Sequence, residues 1–281
     1  MRLMTYSRDG VEGVAVKQGG SWHDLGAIDP VAVLSGDPAI KNRLASLEAA
    51  PELDLAAIRL LPPVPRPGKI ICVGLNYADH TAESPYAQPS YPTLFPRFAT
   101  SLVADRASII RPRSSQELDF EGELAVVIGR QARHVSQEVA LQHVAGYSIF
   151  NDASIRDYQF KTPQWTVGKN FDGTGAFGPE IVTPDELPEG AKGLGITTRL
   201  NGETVQSGDT GDMLYSVADL IAIISEAITL EPGDVIATGT PAGIGWAREP
   251  KLFMKPGDVV EVEIEGIGIL QNHIEDEVAA A

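Results

Sequence analysis

Residues 118–129 read LDFEGELAVVIG, an acidic half running into a β-branched half. The second half, ELAVVIG (123–129), has strand composition. In the first, Asp119, Glu121 and Glu123 alternate, and on a strand a period of two puts all three carboxylates on one face. Like charges so placed repel. A hard cation bound through oxygen, Mg²⁺, Mn²⁺ or Ca²⁺, relieves that repulsion. A solvated acidic face has the same spacing, however, and Glu261, Glu263 and Glu265 in VEVEIEG alternate in the same way. Spacing alone leaves both readings open.

Working outward, FNDASIRDYQ (150–159) supplies Asp152 where an apolar strand, AGYSIFND, ends. Strand ends are where functional side chains emerge, although Asp152 could equally cap a following helix. TVGKNFDGTG (166–175) holds Lys169 in a Gly-rich loop, as a cation for a substrate carboxylate or as a solvated lysine. ATGTPAGIG (237–245) is a strand followed by a Gly-rich turn whose N–H groups, with the Thr240 hydroxyl, could hold an anionic oxygen. It fits neither a Walker A loop nor a dinucleotide fingerprint. In ICVGLNYADHTAES (71–84) a spacing of three lets Glu83 orient His80, either as an acid–base pair or as an exposed pair without consequence.

The remaining pattern predicts many short strands and few helices. RLMTYS, VEGVAVKQ and SWHDLG, separated by Asp-Gly and Gly-Gly turns, read as strands over 2–26, and AIKNRLASLEAA (39–50) reads as a helix. Four prolines in LPPVPRPGK (61–69) mark a linker. Ser136 can cap a helix in QEVALQHV, Asn-Gly in TTRLNGETVQS signals a hairpin, and Ser216 with Asp219 forms a capping box before LIAIISEAI. Pro-Gly-Asp recurs before two β runs, EPGDVIATGTP and KPGDVVEVEIEG, as one turn used twice. The fold class expected is α+β, rich in mixed sheet.

Composition narrows the partners. A formal charge of −16 over 281 residues repels phosphate backbones and anionic lipid, which argues against nucleic-acid and membrane partners. Cys72 is the single cysteine and lies in an apolar run, so neither a disulfide framework nor a Cys-based zinc site is expected, and a reducing cytoplasm fits. No signal-type N-terminus is apparent, and no window approaches the roughly eighteen apolar residues of a membrane span.

In order, VGLNYADHTAE, PTLFPRFATS, LDFEGELAVVIG, FNDASIRDYQ, WTVGKNFD, GDVIATGTPAGIG and KPGDVVEVEIEGIGIL resemble the fumarylacetoacetate hydrolase family, from about Lys69 to Ile274. The resemblance implies a mixed β-sandwich roll, a homodimer, and Mg²⁺ or Mn²⁺ (Ca²⁺ as a substitute) on Glu121, Glu123 and Asp152. It divides the chain into a small N-terminal α/β domain with its Pro-rich linker (1–66) and a catalytic domain (67–281). Lys169 matches the family lysine near the substrate. Gln159 and Thr240, with Gly239 beside it, match positions that contact a bound 2-oxo acid, and His80 with Glu83 matches the dyad of a lid, here ADHTAESPYAQPSYP. Two departures stand out: Leu75 where several small-acid members have arginine, and Arg97 where many have lysine. Arg97 keeps a charge suited to a carboxylate, whereas Leu75 implies a less charged far end of the substrate.

The activity so implied is hydrolysis of a C–C bond in a 1,3-dicarbonyl 2-oxo acid of acylpyruvate or fumarylpyruvate type. His80 activates a water, and the cation and Lys169 carry the charge of the pyruvate-type enolate expelled. Decarboxylation of a diacid such as oxaloacetate, or isomerisation of an unsaturated 2-oxo diacid, uses the same enolate. A metal-dependent 2-oxo acid binding protein without turnover is the alternative outside enzymes. Retention of His80, Glu83, Lys169 and all three carboxylates weighs against it.

Overall fold

The computed structural model describes residues 1–84 and 87–278. The β-branched run forms the strand Gly122–Ile128, buried along its whole length. Leu124, Val126 and Ile128 enter one apolar core, Ala125 and Val127 another, so residues 124–128 are apolar at every position.

Among the described residues this strand belongs to an 11-stranded sheet. Val144–Asn151 and Val235–Ala237 flank it antiparallel, Ile70–Gly74 then pairs parallel with Val235–Ala237, and Thr93–Arg97 closes that side. A five-stranded sheet carries Gly195–Leu200, Val259–Ile264 and Gly268–Asp276. Val260, Val262, Ile264 and Leu270 pack from it against Leu124, Val126 and Ile149 of the larger sheet. The sheets meet closely at Gly122, where a Cβ would lie 2.3 Å from Thr198 Oγ1 and 2.9 Å from Val262 Cγ1. This is the mixed α+β sandwich expected from the sequence.

Local chemistry explains the connections. The Asn-Gly hairpin turns through Asn201 (φ 54°) and Gly202 (φ 81°), both left-handed as a two-residue type I′ turn requires. In both Pro-Gly-Asp turns the glycine is left-handed, and the Asp carboxylate accepts the amide three residues back, Glu231 N to Asp234 and Lys255 N to Asp258, each at 2.7 Å. The Ser216–Asp219 capping box opens the helix Val217–Ala227, which buries Leu220, Ile221 and Ile224.

Two expectations shift. The helix expected over 39–50 is Pro38–Ala45 followed by a 3₁₀ turn, Leu47–Ala49; the Ser46 hydroxyl bonds back to Asn42 O and competes with continuation. Ser136 precedes a shorter helix, Gln137–Ala140, without a side-chain cap bond. The three N-terminal strands form as expected, and Arg2–Arg8 pairs antiparallel with Gly175–Val182, so they extend the large sheet. The proline-rich stretch 61–69 runs between Arg59–Leu61 and Ile70–Gly74, both in that sheet.

The antiparallel pairing collects chain reversals at one end of the large sheet. Gly122 faces Asn151, and Cys72 and Ala125 both face Ala237. Glu121, Asp152, the turn after Ala237 and the turn after Gly74 therefore converge.

Candidate active site

Glu121, Glu123 and Asp152 are buried, and each offers an oxygen within 4.8 Å of the others. Strand pairing brings them together: Asp152 N donates to Glu121 O (2.8 Å), and Glu121 N to Asn151 Oδ1 (3.0 Å). Asp152 caps no helix, since Ile155 holds the N-cap position of Arg156–Gln159. Asp119, the third member of the alternation, lies in a separate two-stranded ladder with Ser154 and does not join the cluster. The chain leaves that ladder before entering the large sheet, which breaks the shared face. Glu261 and Glu263 are partly exposed and Glu265 exposed, an ordinary solvated face.

Three buried cations surround the carboxylates. Lys169 Nζ lies 2.8 Å from Glu121 Oε2 and 2.6 Å from Asp152 Oδ2. Gly168 makes this approach possible, because a Cβ there would come within 2.4 Å of Gln159 N. Arg97 differs from expectation. Its guanidinium is buried behind Asp152 (Nη1 to Oδ1, 3.0 Å), donates to Lys169 O and Ala153 O, and does not line the cavity, so it positions Asp152 and the Lys169 loop. Arg156 was not singled out in the sequence. Nε holds Asp119 (2.8 Å), Nη2 holds Glu121 (2.6 Å), and Nη1 donates to Gln159 Oε1 (2.7 Å). The signal available was its place in FNDASIRDYQ, one helical turn before Gln159.

Four buried carboxyl groups face three buried cations, so one carboxyl has no cation to balance it. Among the described ion pairs none includes Glu123, which accepts the Gly239 amide at 2.9 Å. Burial, then repulsion from Asp152 and Glu121, pushes its carboxyl well above the usual range. Burial would also raise Glu121, but Lys169 and Arg156 outweigh it and hold this carboxyl low, at about 2. Asp152 Oδ1 is buried against Arg97 Nη1, 3.0 Å away. An all-oxygen donor set that includes a buried carboxyl with no ion-pair partner, Glu123, fits a hard divalent cation.

His80 and Glu83 lie in the helix Ala78–Glu83, with Nδ1 2.9 Å from Glu83 Oε1. A carboxylate there favours the Nδ1–H tautomer and leaves Nε2 as the basic nitrogen. His80 lines the cavity. The lid stretch 78–92 includes Pro85 and Tyr86, which lie outside the described residues.

The Gly-rich turn was expected to cradle a substrate anion, yet its amides hold the protein's own carboxylates. Gly239 N donates to Glu123, Gly243 N to Glu83, and Gly245 N and Trp246 N to Asp119. At Gly239 (φ 102°) a Cβ would lie 2.9 Å from Val73 O. The Thr240 hydroxyl donates to Gly122 O and accepts from Gln206 Nε2, another residue sequence reading did not single out. Thr240 and Gln159 line a narrow cavity of about 30 Å³ with Glu121, Glu123, Lys169, Arg156 and His80.

The family description "Fumarylacetoacetate (FAA) hydrolase C-terminal" matches residues 69–275. A human protein named oxaloacetate tautomerase FAHD2A, mitochondrial, is 40% identical over 272 residues, covering 93% of this chain and 86% of its own. Among solved structures, the fumarylacetoacetate hydrolase of Exiguobacterium antarcticum superposes with a TM-score of 0.85 at 39% identity, over 99% of this chain and 100% of its own. Maleylpyruvate hydrolase from Sphingobium sp. SYK-6, solved with manganese(II) and pyruvate, superposes with a TM-score of 0.82 at 25% identity, over 99% and 100%.

Proposed function

The chain belongs to the fumarylacetoacetate hydrolase family, and from that premise we propose that it is a divalent-metal-dependent enzyme that cleaves acylpyruvates, 2,4-dioxo acids, by C–C bond hydrolysis. One observation carries the reading: His80, held by Glu83, lines one cavity with Glu121, Glu123 and Lys169, and Asp152 completes the carboxylate cluster from behind Lys169. Mg²⁺ or Mn²⁺ on Glu121, Glu123 and Asp152 would supply Lewis-acid polarisation of a 2-oxo acid.

The chain's own residues do the rest. His80 Nε2 takes a proton from water as its oxygen bonds to the 4-carbonyl, and Glu83 holds the imidazolium that results. The C3–C4 bond then breaks with its electron pair on the three-carbon fragment, which is protonated at C3 to pyruvate, while the acyl group leaves as a carboxylic acid. One water enters and no redox change occurs. The Lys169 ammonium stands where negative charge develops; burial would lower its pKa, but Asp152 and Glu121 outweigh that and raise it, so it stays charged. A single well-placed donor of this kind contributes about 3–4 kcal/mol.

Tautomerisation or decarboxylation of a 2-oxo diacid is the second reading, favoured by the name of the human relative. It would use the same base without adding water. The test is to offer the Mg²⁺- or Mn²⁺-loaded protein acylpyruvates, fumarylpyruvate and oxaloacetate and identify products by mass. Free acid plus pyruvate supports hydrolysis; carbon dioxide plus pyruvate, or an isobaric product, supports the second reading. A homodimer and a cytoplasmic setting complete the proposal, checked by sedimentation and by imaging of the tagged chain.

A further inference from the structure

Beyond its polar end the cavity wall turns apolar. Leu75, Phe95, Phe160, Trp165, Ile244 and Trp246 line most of the remainder, beside Ser84. Phe95 meets Trp165 edge-on at 5.3 Å between ring centroids, and Phe160 lies 5.0 Å from Trp246. Trp165 is seated against Gly74, where a Cβ would come within 2.4 Å of the indole. Trp246 is anchored through its amide on Asp119.

Leu75 adds an independent sign. It holds a left-handed backbone (φ 60°), uncommon for a bulky residue and costly unless its surroundings enforce it. Asn76 enforces it: Nδ2 donates to Thr238 O (2.7 Å) and Tyr215 O (3.1 Å), and Oδ1 accepts from Tyr215 N (2.8 Å). Backbone strain is thus retained where an isobutyl side chain joins the cavity wall.

Cations are confined to the other end. Among the described lining residues, Arg156 and Lys169 are held by Asp119, Glu121 and Asp152, and His80 by Glu83. Lys251, 4.9 Å from the Trp246 ring centroid, is exposed and does not line the cavity.

Resting on the reading of a 2-oxo acid head at the carboxylate cluster, we propose that the tail of the substrate is uncharged and apolar, an alkyl or aryl acyl group rather than a second carboxylate. A carboxylate against this wall would lose its water and gain no cationic partner among the described residues, whereas an aryl group gains stacking surface and removes apolar area from water.

Calorimetry on the Mg²⁺-loaded protein tests it without turnover, using oxalate as a head-only probe, phenylpyruvate and 2-oxohexanoate as apolar-tailed probes, and 2-oxoglutarate as a diacid. The expected result is oxalate binding, with both apolar-tailed acids tighter than the diacid by on the order of 10²-fold. No binding of oxalate overturns the parent reading of the site. Oxalate binding with the diacid equal or tighter overturns the apolar tail alone. Two variants sharpen the outcome: Leu75→Arg, and Phe160→Arg at a position already 38% exposed and so tolerant of change. Each should leave oxalate binding within about threefold and shift the preference toward the diacid by at least about tenfold. A variant that binds oxalate normally yet leaves the preference unchanged counts against the proposal.

Discussion

The carboxylate of Glu83 accepts the amide of Gly243 at both oxygens, at 2.9 and 3.1 Å, while its Oε1 faces His80 Nδ1. The base is therefore fixed from behind by backbone rather than by another flexible side chain. His80→Ala should lower kcat by about 10²- to 10⁴-fold with metal affinity intact. Glu83→Ala should cost less, and the double variant no more than His80→Ala alone, because the two residues act as one unit. Steady-state kinetics beside metal titrations decide this, and parallel loss of metal in His80→Ala would give the histidine another job.

Glu123 is the carboxylate without an ion pair, and Glu123→Gln separates its two effects. The amide keeps the shape and an acceptor for the Gly239 N–H but lacks the charge. The metal-free variant should be more stable than the parent by roughly 1–3 kcal/mol at mildly alkaline pH, since the parent must keep a buried carboxyl protonated where the unfolded chain has released that proton. Metal affinity should fall sharply. Thermal melts with chelator and metal titrations read these separately; a less stable metal-free variant contradicts the charge balance argued above.

Asp152 behaves differently because Lys169 and Arg97 lean on it. Asp152→Ala should abolish metal binding and turnover, and also destabilise the fold by about 3–5 kcal/mol through the cations left unpaired. Full turnover after thorough chelation would refute the metal assignment itself.

Much of this was legible in sequence for a definite reason. The strand Gly122–Ile128, the hairpin at Asn201–Gly202 and the Ser216–Asp219 box are specified by local chemistry, so period and turn residues suffice. The carboxylates of the cluster and the His80–Glu83 spacing were visible as well. What stayed hidden depends on contacts between distant segments. Nothing local says that Asp119 leaves the acidic face to hold Arg156 and the Gly245–Trp246 amides. Nor does PTLFPRFATS reveal that Arg97 turns inward onto Asp152, or VGLNY that Leu75 sits in a left-handed turn stapled by Asn76.

The raised carboxyl of Glu123 also sets a pH dependence. Between the usual carboxylate range and that raised value, the folded metal-free protein holds a proton that the unfolded chain has released. Its stability therefore falls as pH rises, by up to about 1.4 kcal/mol per unit for one proton. Metal binding must displace the same proton, so affinity rises with pH and each binding event releases acid. Melts from about pH 5 to about pH 8 should slope downward with chelator and flatten or reverse at saturating Mg²⁺. Calorimetry in two buffers of different ionisation enthalpy counts the released proton directly. Identical slopes with and without metal, together with no proton release, would mean that Glu123 is already ionised in the empty cluster.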